Sequence, residues 1–268
     1  MGPQFLHWIK NQFYDPQGAK FTAMITFAFV LVSVGWHFTT SSSQFSEMQI
    51  ERLQMIDQHF TLDPSDLENG RYHVLVSHSL MYNDLLHTIV MALSMLFFGT
   101  FVEKRLGSLV SALVFFGGVA LGGFCQIAVA DPVWFSSIQS FFLPMAEGES
   151  AFSGIVQNLL SSLQQIHEST ANRNRFSGPA GGVSALMMFA LFQHVIHHRS
   201  NIVLLGGISL VWIIVDWLGF FHFESHVGLT SRITGASFGL VASIIFWLAT
   251  LSRLARFRVR NVWRYPSR

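Results

Sequence analysis

Apolar residues run along this chain in long unbroken blocks, set apart by shorter polar segments. Six blocks approach the roughly 20 residues a helix needs to cross a hydrocarbon core: 21–38, 86–102, 109–130, 178–196, 202–221 and 231–251. A helix satisfies its own backbone in lipid, so the pattern predicts an all-α, polytopic membrane bundle of six transmembrane helices. Two of the connecting segments are long. In the first, Phe45, Met48, Leu53, Met55, Ile56 and Phe60 share one side of a helical wheel behind the start signal Ser41, Ser42 and Ser43. An amphipathic helix lying in the interface plane is expected there. In the second, 131–177, Pro132, Pro144 and Gly148 are expected to break up the first half, ahead of a helical stretch around 155–166 and a polar run at 169–175.

Composition strengthens this picture. Of 268 residues, 51% are hydrophobic and 12% charged, too few charges to coat a soluble globule of this size. The first apolar block is followed by no convincing cleavage pattern and reads as a retained span. Cys125 is the single cysteine, so no intrachain disulfide forms. We expect one membrane domain over 1–268.

Charge then sets the orientation. With the N-terminus inside, the inner segments hold Lys10, Lys20, Lys104, Arg105, Arg199 and the six arginines of the tail from Arg253 onward, whereas the outer segments hold Arg52, Arg71, Arg173 and Arg175. Twelve of the fifteen acids fall outside. Both termini are therefore expected on the cytoplasmic or matrix side, in a bacterial or mitochondrial inner membrane. The arginine-rich tail abuts an apolar span, so it is read as a topological marker and no nucleic-acid partner is expected.

Three spans carry motifs. The second reads His87 and Met91, then Phe98-Gly99, and ends at Glu103, Arg105, Gly107 and Ser108. An acid and two bases at the inner end of a span can pair with each other and with loop backbone, and Gly107 permits a tight reversal into the third helix. The fourth opens Gly178-Pro179-Ala180-Gly181-Gly182-Val183-Ser184-Ala185, which on its own is a small-residue surface for close helix packing. In the sixth, Arg232, Gly235 and Gly239 share one stripe.

Together these motifs resemble the rhomboid family, over about 70–251. The remainder is an outer loop insertion at 131–177 and a basic C-terminal tail at 252–268. The resemblance implies a rhomboid-like six-helix fold in which Ser184 takes the nucleophile position and His87 an oxyanion position. It also implies an asparagine where Met91 stands, a glycine where Ala185 stands, a tyrosine at Met188, and the catalytic histidine where Arg232 stands. Arginine, with a pKa above about 12, cannot take a serine's proton near neutral pH, and methionine donates no hydrogen bond to an oxyanion. The resemblance thus implies a pseudoprotease, with Glu103, Arg105, Gly107, Gly182, Gly235 and Gly239 kept as structural positions.

His226 is the only substitute base, six residues before Arg232 and about 120° around the helix from its stripe. An active intramembrane serine protease using Ser184 and His226 is the alternative. Arg232 is expected to pair with Asp216 of the fifth span or to share water with it. His194, His197 and His198 have a spacing that could hold a metal, yet no carboxylate or cysteine sits beside them, so no metal and no cofactor is expected. The expected partners are the lipid bilayer and other membrane proteins, as clients of a scaffold or as subunits of a larger complex.

Overall fold

The computed structural model describes residues 19–40, 47–63, 65–82, 85–147, 151–171, 178–197, 206–210, 213 and 227–264. Its elements are helical: α1 (Lys20–Thr40), α2 (Glu47–Phe60), the short α3 (Ser65–Glu68) and α4 (Val74–Ser77), α5 (Leu85–Leu106), α6 (Ser108–Ala130), α7 (Pro132–Ala146), α8 (Ala151–Ala171), α9 (Ala180–His197) and α10 (Val227–Arg264). α5 widens to a π turn over Met95–Gly99. Four helices are long and apolar enough to cross a membrane: α1, α5, α6 and residues Thr230–Leu251 of α10. α9 is apolar and shorter. The fifth block, 202–221, falls mostly outside the described residues.

These helices bury polar side chains and expose apolar ones, the reverse of a protein folded in water. Thr22, Thr26 and Ser33 line the inner face of α1, while Met24, Phe27 and Leu31 point outward. Ser94, Ser111, Gln193, Ser231 and Ser243 are likewise interior, with Leu93, Leu113, Ile233, Val241 and Ile245 outside. The surface is greasy because its solvent is lipid, and the interior is small and polar because close approach and hydrogen bonds hold the helices together. Phe29, Met91, Phe98, Phe115, Val183 and Phe189 fill the space between them.

Helix direction follows from the contacts. Thr22 packs on Gly99 while Ser33 accepts from the Tyr82 amide at 3.0 Å, so α1 runs antiparallel to α5. Gly117 faces Phe238 and Gly122 faces Ser231, which sets α6 antiparallel to α10. Gly181 meets Gly235, Ala185 meets Gly239, and Gln193 donates to Ser243 Oγ at 2.9 Å, so α9 and α10 run parallel and in register.

The long insertion departs from the sequence expectation. Pro132 starts a helix instead of breaking one: it stands in the first turn, where a missing N–H is harmless, and the Asp131 carboxylate accepts from Val133 and Trp134. Pro144 lies close enough to the helix end for α7 to carry it. α8 folds back along α7 through Gln139 and Gln164, and His167 stacks on Phe135 at 4.0 Å while lying 2.6 Å from the Val129 carbonyl. The helical stretch expected around 155–166 is present and longer. α2 is present too, with Met55 and Ile56 exposed, but its expected start at Ser41–Ser43 lies outside the described residues.

His78 closes one end of the bundle against Gly123 and Leu62. Its imidazole is enclosed, and burial holds its pKa down to about 4 from 6.5. Hydrogen bonding to Val74 and Leu75 pulls weakly the other way, with Nδ1 2.9 Å from the Val74 carbonyl. Between those two values the unfolded chain binds a proton that the folded chain refuses, so stability falls as pH drops through the window and levels off below it. We expect unfolding scans in detergent to show this loss, amounting to about 3 kcal/mol at most. His78→Gln should flatten the slope, and identical slopes in the two proteins would reject the assignment.

Candidate functional site

Ser184 sits in the first turns of α9, on a stretch made almost wholly of small residues. Gly181, Gly182 and Ala185 have neighbours pressed against them. A Cβ on Gly182 would meet Phe115 at 2.6 Å and Val119 at 2.7 Å; one on Gly181 would meet the Gly118 carbonyl at 2.6 Å. On the opposite side, a Cβ on Gly235 or Gly239 would collide with the carbonyls of Gly181 and Ala185, whose carbons lie 2.7 and 2.9 Å away. α6, α9 and α10 therefore touch backbone to backbone along one seam, as small residues permit in transmembrane helices. The packing reading of the small residues around Ser184 is what the structure displays.

Ser184 itself is 2% exposed, and its Oγ has no hydrogen-bond partner among the described residues. Around it in the same core lie Met91, wholly buried, and Val183, Ala185, Leu186 and Met187; Met188 is half-buried. His87 is buried on α5 and stacks on the Tyr82 ring at 4.6 Å. Tyr82 in turn presses on Gly178, whose φ of +117° suits only glycine and whose amide donates to the His78 carbonyl at 2.8 Å. The entry to α9 is thus fixed by the segment that leads into α5.

Arg232 is buried at 8% exposure on α10. Counting from the Gly181–Gly235 contact, Ser184 lies one turn in one direction along α9 and Arg232 one turn in the other along α10, roughly 9 Å apart in depth. The neighbouring Ser231 wedges between Gly122 and Gly181. Neither Arg232 nor Met91 is a proton acceptor for a serine hydroxyl. His226 and Asp216 both lie outside the described residues. So does His198, and no three potential metal ligands cluster among the described residues.

The turn after α5 differs from expectation. Instead of pairing with Arg105, the Glu103 carboxylate reaches across to α1, accepting from the Phe21 amide at 2.9 Å and the Thr22 amide at 2.8 Å, and also accepts from the Ser108 hydroxyl at 2.5 Å. Gly107 makes the expected reversal, with φ +90°. Arg105 lies over the Phe101 ring, 4.1 Å from its centroid.

Sequence reasoning missed the α6 half of the seam. Gly117, Gly118, Gly122 and Gly123 carry the same small-residue spacing as α9, and that spacing was the available signal. It also missed Tyr82 and His78, which nothing in the local pattern marks. Compared with known proteins, the chain matches no family model and no curated protein.

Proposed function

We propose that this chain is a rhomboid-like membrane protein of six spans that has lost protease chemistry and serves as a scaffold for other membrane proteins. The observation that carries the reading is Ser184: a hydroxyl at the nucleophile position, buried, without a hydrogen-bonded base, on a helix start otherwise given over to packing. Substrate cannot reach such a hydroxyl without parting the seam. The six-span topology is supported by direction. α9 and α10 run parallel, as two spans joined through a returning span would, and 198–226 holds the fifth apolar block of the sequence. The charge bias then puts both termini on the cytoplasmic or matrix side.

The docking surface we propose is the hairpin of α7 and α8. α7 carries no charged residue from Pro132 to Ala146, and Trp134, Phe141, Leu143, Phe152 and Ile155 are exposed on the pair. An uncharged, aromatic surface beside the outer end of the bundle suits the apolar span of a partner protein, not a soluble one. Excision of 132–171 should abolish recovery of co-purifying membrane proteins, and their retention would reject this surface.

Catalysis is tested with a fluorophosphonate probe on the purified, lipid-reconstituted protein, beside Ser184→Ala and an active rhomboid. We expect label on the control alone. Label on the wild type that Ser184→Ala removes would establish an activating base and overturn the pseudoprotease reading.

A further inference from the structure

We infer that this protein holds an anionic phospholipid in a cavity between the inner ends of α5, α9 and α10. The cavity has a volume of about 470 Å³ and is walled by Phe101, Val102, Leu106, Phe189, Ala190 and Phe246, with Arg105, Gln193 and Thr250 supplying its polar atoms. That size falls in the range of small-molecule sites, and the arrangement of an apolar wall with a few convergent polar groups is the usual one.

Three observations fix the ligand's chemistry. First, Arg105 has no carboxylate within ion-pairing distance among the described residues, because its neighbour Glu103 is committed to the amides of α1 and to Ser108. Stacking on Phe101 holds the guanidinium at the cavity, with its donors available for a two-point contact with phosphate. Second, Arg105 stands at the last turn of a helix long enough to cross the membrane, and Thr250 at the end of the apolar stretch Thr230–Leu251 of α10, which is the depth of lipid headgroups. Third, α10 continues as helix through Arg264, so Arg253, Arg256, Arg258, Arg260 and Arg264 follow directly beyond the cavity.

A phosphate at Arg105 and an acyl chain against the phenylalanines satisfies both halves of the lining at once. Helix C-termini oppose an anion, but only α5 ends at this depth; α9 runs on to His197 and α10 to Arg264, so their last carbonyls lie farther along. Free phosphate would leave the apolar wall empty, and a neutral phospholipid would bring an ammonium toward Arg105. An anionic phospholipid does neither.

The test is competitive lipid retention by the full-length protein, purified in mild detergent with mixed phosphatidylglycerol and phosphatidylcholine and read by native mass spectrometry. Wild type should favour phosphatidylglycerol by about tenfold, the value of one charge-assisted contact, and Arg105→Gln should bring the two lipids to parity. Ala190→Phe, which fills the apolar wall and keeps the charge, should reduce retention of both lipids and guards against a folding defect in the first variant. Equal retention of the two lipids by wild type, or an unchanged preference in Arg105→Gln, would overturn the proposal. Competition by millimolar inorganic phosphate as effective as by phosphatidylglycerol would overturn it in favour of a simple anion site. None of these readouts depends on whether Ser184 is active.

Discussion

Gly235→Ala is expected to lower the stability of the protein by about 3 kcal/mol, although alanine is the better helix former by about 1 kcal/mol. The added methyl would collide with the carbonyl of Gly181, and the obstacle is backbone: it cannot rotate aside as a side chain would. α10 must move away from α9, and the displacement spreads. Gly239 meets the Ala185 carbonyl on the same seam, Ser231 sits between Gly122 and Gly181, and the Gln193–Ser243 hydrogen bond lies further along the same pair of helices. In lipid, loosened helices are not pressed back together by water, so lost dispersion contacts are not recovered elsewhere. The controls are Gly35→Ala and Gly154→Ala, where nothing lies within 4 Å of the added carbon. They should be neutral or slightly stabilising. Unfolding of the four proteins in detergent decides the matter, and a Gly235→Ala protein as stable as Gly35→Ala would mean that the seam is not as tight as described.

The seam also marks how far the sequence could be read. Spans α1, α5, α6 and α10 were legible because a hydrophobic block of membrane length has one dominant structural meaning. The stripe of Gly235 and Gly239 was legible by the same periodicity, as was the glycine reversal at Gly107. The prolines of the insertion misled, because proline stops a helix in its interior and starts one in its first turn, and the deciding factor was Asp131 one position earlier. The small residues around Ser184 were legible as a surface for close helix packing. That Gly181, Gly182 and Ala185 beside the serine pack against Gly118, Phe115 and Val119 on α6 depends on the meeting of helices far apart in the chain, which local pattern does not encode. Glu103 shows the same limit from the polar side. An acid beside two bases reads as an ion pair, yet the carboxylate went to backbone amides 81 and 82 residues away.

Glu103→Ala is expected to cost about 3 kcal/mol as well, by a different route. The first turn of any helix has amides with no acceptor inside the helix, and at a membrane boundary water supplies them poorly. α1 begins at Lys20, and its own sequence offers no serine, threonine, aspartate or asparagine at Ala19. Glu103 does the capping from another helix: both oxygens accept from the first turn, and the negative charge sits at the positive end of the α1 dipole. Alanine leaves those amides and the Ser108 hydroxyl without their acceptor. Glutamine keeps one acceptor oxygen but turns an NH2 toward donors, so Glu103→Gln should fall between wild type and Glu103→Ala. Aspartate keeps the charge and loses one methylene of reach, so it should rescue one amide and not both. The distinguishing measurement is hydrogen exchange by residue. Loss of the cap should speed exchange at Phe21, Thr22 and Ala23 well before the amides of α6 and α9 respond, because α1 is tied to the bundle at this end by Glu103 and by Thr22 against Gly99. Uniform acceleration across the bundle would instead make Glu103 a general packing residue, and α1 would then owe its place to the buried face of Thr26, Phe29 and Ser33 alone.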